Sequence, residues 1–137
     1  MEIALRTQYA LRALICLTVK RREGVVSGGE IAAFGGIPRK YVEQVMRDLR
    51  QAGLVRSQRG KLGGYLLARD PDAISVLDVL EAVEGPLADL GRMRGGHPVG
   101  RLLDPVWDDV RASLRDCLGA TSVAGIADRI AVHMYHI

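Results

Sequence analysis

The chain is poor in the residues that build cofactor and metal sites. Its 137 residues include two cysteines, Cys16 and Cys117, and three histidines. Two cysteines cannot make a disulfide framework, and their spacing is not that of metal ligands. Without a CxxC pair, a zinc site made from protein ligands alone is not expected. Aromatic residues are scarce at 4%, with one Trp and one Phe. No apolar run is long enough to cross a bilayer. The N-terminus lacks the basic region, apolar core and cleavage site of a signal peptide, which points to a cytoplasmic protein. No internal repeat or low-complexity segment is visible.

What the chain does have is positive charge in one place. The net charge is +3. Residues 36–70 carry eight Lys or Arg against three acids, a local net of +5. Residues 71–100 carry two against five, a net of −3. A basic segment in a nearly balanced chain is the footprint of a polyanion partner, or a solvated helix face.

That basic segment also has the strongest pattern. Val42, Val45, Met46 and Leu49 repeat at i, i+3, i+4, i+7 and form an apolar stripe. Lys40, Glu43, Gln44 and Arg47 follow the same spacing on the opposite side, and these side-chain types read base edges and phosphates. A helix is expected over about 38–52, with Pro38 in its first turn and Gly53 as its stop. Before it, Ser27 and Glu30 form a capping-box pair for a short helix over 29–34, which Gly35-Gly36 ends. Two helices joined by a glycine turn make a helix-turn-helix signature. After Gly53, a hairpin is expected over about 54–69, with the loop RSQRGKLGG between its strands. Arg59 and Lys61 flank the tip, and Gly60, Gly63 and Gly64 permit close backbone approach to a ligand. Such a wing suits a narrow minor groove, where negative potential attracts Arg.

The remaining segments frame this unit. Residues 2–20 lack Gly and Pro, and read as a buried helix with a stripe of Leu5, Tyr9, Leu11, Leu14, Ile15 and Leu17. Cys16 reads as a small core residue. Ser75 caps a helix whose Val76, Val79, Leu80 and Val83 face the core. Residues 85–103 hold five glycines and no periodicity, a flexible loop in the position of a sensor. A helix over about 106–118 carries Val106, Trp107, Val110, Leu114 and Leu118 on one stripe, either a dimer interface or simple packing. Thr121-Ser122 caps a last short helix, VAGIADRI. Cys117 reads as a half-buried structural thiol, or as a thiol sensor if it is exposed. Pairing Cys117 with His97 or His133 as nucleophile and base has no motif behind it, so no enzyme is expected.

Taken together, RTQYALRAL, YVEQVMRDLRQAGLVRSQRGKLGGYLLARD and ISVLDVLEAVEG resemble the Rrf-two family of bacterial winged-helix transcription regulators, which includes IscR-like and NsrR-like iron–sulfur proteins. The resemblance covers about the first 85 residues. It implies a mainly α fold with a small β-hairpin: a winged helix-turn-helix domain over 1–85, a loop over 86–103, and a long dimerisation helix with a short C-terminal helix over 104–137. It implies a homodimer that binds double-stranded DNA at a palindromic site; repression is the favoured expectation, with activation left open. Carried over by position, the DNA-facing residues are Arg39, Lys40, Tyr41, Glu43 and Gln44 of the helix, with Arg59, Gly60 and Lys61 of the wing. Arg47 joins them on its place in the outward stripe.

Two departures stand out. The family's wing reads RGPGGGY, and here it is RGKLGGY. Cluster-binding members carry three cysteines in the loop before the long helix; here that loop has none, and Gln8 and Arg12 stand where a related scheme uses Glu and His. A cluster needs about four soft ligands, so no iron–sulfur cluster is expected. The effector, a small molecule or a partner protein, stays open. So does the alternative of a winged-helix protein-interaction module without DNA binding.

Overall fold

The computed structural model describes residues 3–135, of which 131–135 are described by their backbone alone. Helix α1 (Leu5–Val19) runs through the centre and meets α2 (Gly28–Gly35), α3 (Arg39–Gln51), α4 (Val76–Glu84) and α7 (Val123–Tyr135). Packing on several sides explains why its buried set differs from the expected stripe. Leu14, Leu17 and Cys16 are buried as expected, but so are Thr7, Ala10, Ala13 and Thr18. Leu5 is exposed, and Tyr9, Leu11 and Ile15 only pack against the core's edge. The two alanines let neighbouring helices approach closely. The Thr18 hydroxyl is satisfied within its own helix by donating to the Leu14 carbonyl at 2.7 Å.

The capping box of α2 forms as its sequence implies. The Glu30 amide donates to the Ser27 hydroxyl at 3.2 Å, and the Ser27 amide to the Glu30 carboxylate at 2.9 Å. Gly36 ends the helix at φ +61°, and Pro38 then serves as the N-cap of α3 and not as part of its first turn. Val42, Val45, Met46 and Leu49 are all buried, so the apolar stripe of α3 is complete within the chain. Each such side chain contributes about 1.5–3 kcal/mol on burial. Two bonds close the helix: the Leu54 amide to the Leu49 carbonyl at 3.0 Å and the Gly53 amide to the Arg50 carbonyl at 3.0 Å. This Schellman arrangement requires the positive φ of Gly53.

Strands β1 (Val55–Gln58) and β2 (Gly64–Leu67) pair antiparallel, with Val55 opposite Leu67 and Gln58 opposite Gly64. Val26 adds a bridge on the other side of Tyr65, with bonds of 3.0 and 2.8 Å. A β-carbon on Gly64 would sit 2.2 Å from the Val26 carbonyl oxygen, so glycine is what lets this third segment close on the wing.

The C-terminal half is tied back onto this unit. Ser75 and Asp78 form the capping box of α4, whose Val79 is buried. Val76, Leu80 and Val83 are only half-buried. The Val76 amide donates to the Thr121 carbonyl and the Val123 amide to the Ile74 carbonyl, and Val123, Ala124 and Ala127 reach the core. Helix α7 is longer than VAGIADRI, and its start is held by the Ser122 hydroxyl, which accepts from the Gly125 amide at 3.0 Å. Thr121 donates instead to the Cys117 carbonyl. Residues 136 and 137 of the tail lie outside the described residues.

Two sequence expectations need correction here. The stretch 85–103 is not without structure: it holds a single turn at Leu87–Asp89 and the short helix α5 (Pro98–Arg101). His97 followed by Pro98 starts α5, the His97 Nδ1 accepting from the Val99 amide at 3.2 Å. On α6 (Asp104–Gly119), Cys117 is exposed, not half-buried. Val106 of the same helix is exposed too, whereas Trp107, Val110, Leu114 and Leu118 are half-buried.

Candidate nucleic-acid interface

The outward side of α3 is polar and unobstructed. Arg39, Lys40, Glu43, Gln44 and Arg47 are all exposed, and the helix has no acid in its first turn. Its positive end and two adjacent cations therefore share one corner of the surface. Asp48 is drawn away from that surface toward Arg6, 3.9 Å off. Glu43 is thus the single acid on the exposed face of α3. It can accept from a cytosine amine, while it repels phosphate.

Tyr41 is placed differently from its neighbours. Its ring is half-buried against Tyr9, with centroids 5.8 Å apart and planes tilted by 32°. Lys40 Nζ lies 5.0 Å from the Tyr41 ring centroid, and the Arg12 guanidinium 5.9 Å from that of Tyr9. Arg12 also donates to the carbonyl of Gly35, the last residue of α2, at 3.1 Å. A cation, two rings and a second cation thus link α1 to the first turn of α3 and fix how that turn is presented. Sequence reasoning alone misses Arg12 in this role. Its one signal is a charged residue three positions after Tyr9 on the same helix face.

Further residues escape the sequence pattern. Gly28 leaves room for the Arg39 guanidinium, which would lie 2.3 Å from a β-carbon there. Arg39 therefore lies across the start of α2, joining both helices of the motif at one edge. Arg50 donates to the Ser57 hydroxyl at 3.2 Å and so braces the wing against α3. At the wing tip, Arg59, Gly60 and Lys61 are exposed as expected, and Leu62 with them at 89%. Gly60 takes φ +118° and its carbonyl accepts from the Gly63 amide at 3.0 Å. A side chain at Gly63 would strike the Gln58 carbonyl at 2.5 Å, so the turn at the tip requires glycine there.

Metal donors are not gathered in this way. Among the described residues, no group of three or more His, Cys, Asp or Glu could hold a metal ion. Cys16 lies in the core, and burial pushes its thiol up to about 11, against the pull of Lys20. A thiol held protonated is a poor ligand. Cys117 stands on the far end of α6 from His97, and Gln8 gives its side-chain amide to the Ile3 carbonyl. Among the described residues, no helix is long and apolar enough to cross a membrane.

Comparison with known proteins agrees with this arrangement. Residues 3–129 match the Rrf2 family, described as iron-dependent transcriptional regulators. The putative HTH-type transcriptional regulator Rv1287 of Mycobacterium tuberculosis is 39% identical over 132 residues, spanning 93% of this chain and 81% of that protein. The structure of CymR, the global cysteine regulator of B. subtilis, superposes with a TM-score of 0.78 at 32% identity, over 94% of this chain and 98% of that one. IscR of T. potens superposes with a TM-score of 0.76, also at 32% identity, over 95% and 88%. With a mainly helical winged-helix fold and a basic reading face, the chain belongs to the Rrf2 family of transcription regulators.

Proposed function

We propose that the chain acts as a homodimer that binds double-stranded DNA sequence-specifically and represses from a palindromic operator. One observation carries this reading: α3 finishes its apolar stripe inside the subunit and leaves Arg39, Lys40, Glu43, Gln44 and Arg47 exposed beside a basic wing. In this reading α3 enters a major groove, and residues 59–64 reach the adjacent minor groove. Gln44 pairs an adenine bidentately, and Glu43 selects against sequences that bring phosphate near it. Tyr41 acts through the position it gives Lys40 more than by its own reach.

Dimerisation is supported by α6, which has no buried residue in the single subunit. Leu102, Leu103 and Val106 stay exposed around its start. A two-fold partner covering this surface would set two copies of α3 at palindromic half-sites. We further propose that no iron–sulfur cluster is held, despite the family's iron dependence: the loop over 86–103 offers no thiol, and of the two cysteines Cys16 is buried in the core while Cys117 is exposed on α6. Stoichiometric iron and sulfide in anaerobically purified protein would overturn this.

Selection of bound duplexes from a random DNA pool tests the main reading, followed by affinity at two salt concentrations. The expected result is one palindrome with half-sites about one helical turn apart or a multiple of it. Affinity should fall about a thousandfold or more between roughly 50 and 200 mM salt if six or more phosphates are neutralised. Recovery of no motif, or a flat salt response, would sink it.

A further inference from the structure

A cavity remote from α3 and the wing lies between residues 91–101 and the first two turns of α6. Its volume is about 480 Å³, within the range of small-ligand pockets. Its walls are unusual for so small a chain. The one tryptophan, Trp107, forms one side. Gly91 lies flat against the indole: a β-carbon there would sit 2.7 Å from the ring atoms, and its φ is +78°. Gly96 meets the guanidinium of Arg101 in the same way, with a β-carbon 2.8 Å from one nitrogen. The loop glycines thus let backbone close directly on an aromatic face and a cation.

The charges in the cavity are not balanced. Arg111 is occupied, bonding Asp108 and the Leu90 carbonyl. Arg92 is loosely paired at 3.9 Å with Asp89, which is not part of the wall. Arg101 has no carboxylate within 4.0 Å among the described residues. The His97 Nδ1 is taken by the Val99 amide, so the neutral ring carries its proton on Nε2 and is a donor there. Against these donors stands Asp104, which also lines the space. An Arg without a partner beside an aromatic wall is suited to an oxyanion attached to an organic body.

We propose that this cavity is a receptor site for a small organic oxyanion, a carboxylate or a phosphate ester, with Arg101 as its charge partner and Trp107 as its apolar wall. Resting on the reading of the chain as a DNA-binding regulator, the ligand is its effector. The site touches the first turns of α6 beside Val106, so an occupant bears directly on the surface assigned to dimerisation.

Trp107 is the sole tryptophan, so indole emission comes from the cavity wall, and sedimentation on the same samples separates occupancy from a change of association at the neighbouring Val106 surface. Benzoate and inorganic phosphate would be titrated at constant ionic strength up to about 10 mM, with benzyl alcohol as the uncharged control. The expected result is a saturable change with at least one anion and none with the alcohol. Benzoate alone responding assigns the carboxylate class, and phosphate alone the phosphate class. Arg101→Gln should raise the half-saturation concentration about tenfold or more. Asp104→Asn should lower it, by removing the like charge. No saturable response to either anion, or an Arg101→Gln variant that saturates like the parent, would overturn the proposal. DNA affinity measured on the same preparation without probe separates this failure from that of the parent reading. DNA binding with a silent Trp107 rejects the site alone, and a responding Trp107 with no DNA binding either without or with the responding anion rejects the regulator reading alone.

Discussion

Helices α3 and α6 carry similar apolar stripes and end in opposite situations. In α3 four apolar residues are buried to 1% exposure or less, and the polar side is left free. In α6 no residue is buried, and Val106 is 52% exposed. Periodicity alone cannot separate these cases, because it says which side is apolar and not what covers it. The subunit supplies cover for α3 from α1, α2 and α4. For α6 it supplies mainly α4 and the turn at Leu87–Asp89. One helix is finished within the chain and offers its polar face outward; the other offers an apolar edge.

The sharpest way to break this contrast is to injure each stripe. Leu49→Ala empties a fully buried position of α3 and should cost about 2–5 kcal/mol in a denaturant unfolding series. Val106→Asp places a charge on an exposed position, so the secondary structure of the subunit should be kept while sedimentation shows the dimer weakened. If Val106→Asp unfolds the chain as Leu49→Ala does, α6 is part of the monomer core and the contrast is false.

Next in size are the two sides of the reading surface. Gln44→Ala should lose about 1–3 kcal/mol at one base-pair position and leave the others unchanged, read by binding to a panel of single-base operator variants. Arg59→Ala should weaken binding to all of them about equally and make the salt slope shallower by about one, since one phosphate fewer is neutralised. Equal behaviour of the two variants would mean that helix and wing do not divide the work between bases and backbone.

The elements of the reading unit were legible because local chemistry marks their ends. Ser27 with Glu30, Gly53 and Ser75 with Asp78 each set a boundary that the fold keeps. The winged-helix family was legible from the same residues. What escaped depends on packing between segments distant in sequence. Thr7 and Ala13 are buried because other helices, α7 and α4 among them, close on α1. Arg12 reaches the Gly35 carbonyl across 23 residues, and no spacing rule announces that. Gly91 and Gly96 read as loop punctuation, whereas they are the places where backbone meets Trp107 and Arg101.

The smallest expected effect separates the two cysteines and so returns to the same contrast of finished and open surfaces. Cys16 is fully buried on the inner side of α1, and burial raises its thiol from 9.0 to about 11. The folded state therefore holds the proton more tightly than the unfolded chain does. Its contribution to stability is fully present below about pH 9 and is lost as pH rises through 11. Cys117 has an exposed side chain on α6. Unfolding measured from pH 8 to 11 should show an alkaline loss that Cys16→Ala reduces and Cys117→Ser leaves intact, after subtraction of each variant's stability at pH 8. The thiols themselves should divide in the same way: an alkylating reagent at neutral pH should modify Cys117 in the native protein and reach Cys16 only on unfolding. If Cys117 is also protected in the native protein at concentrations where the dimer forms, and becomes reactive in Val106→Asp, then the cover that α6 lacks in the single chain is supplied by a second copy.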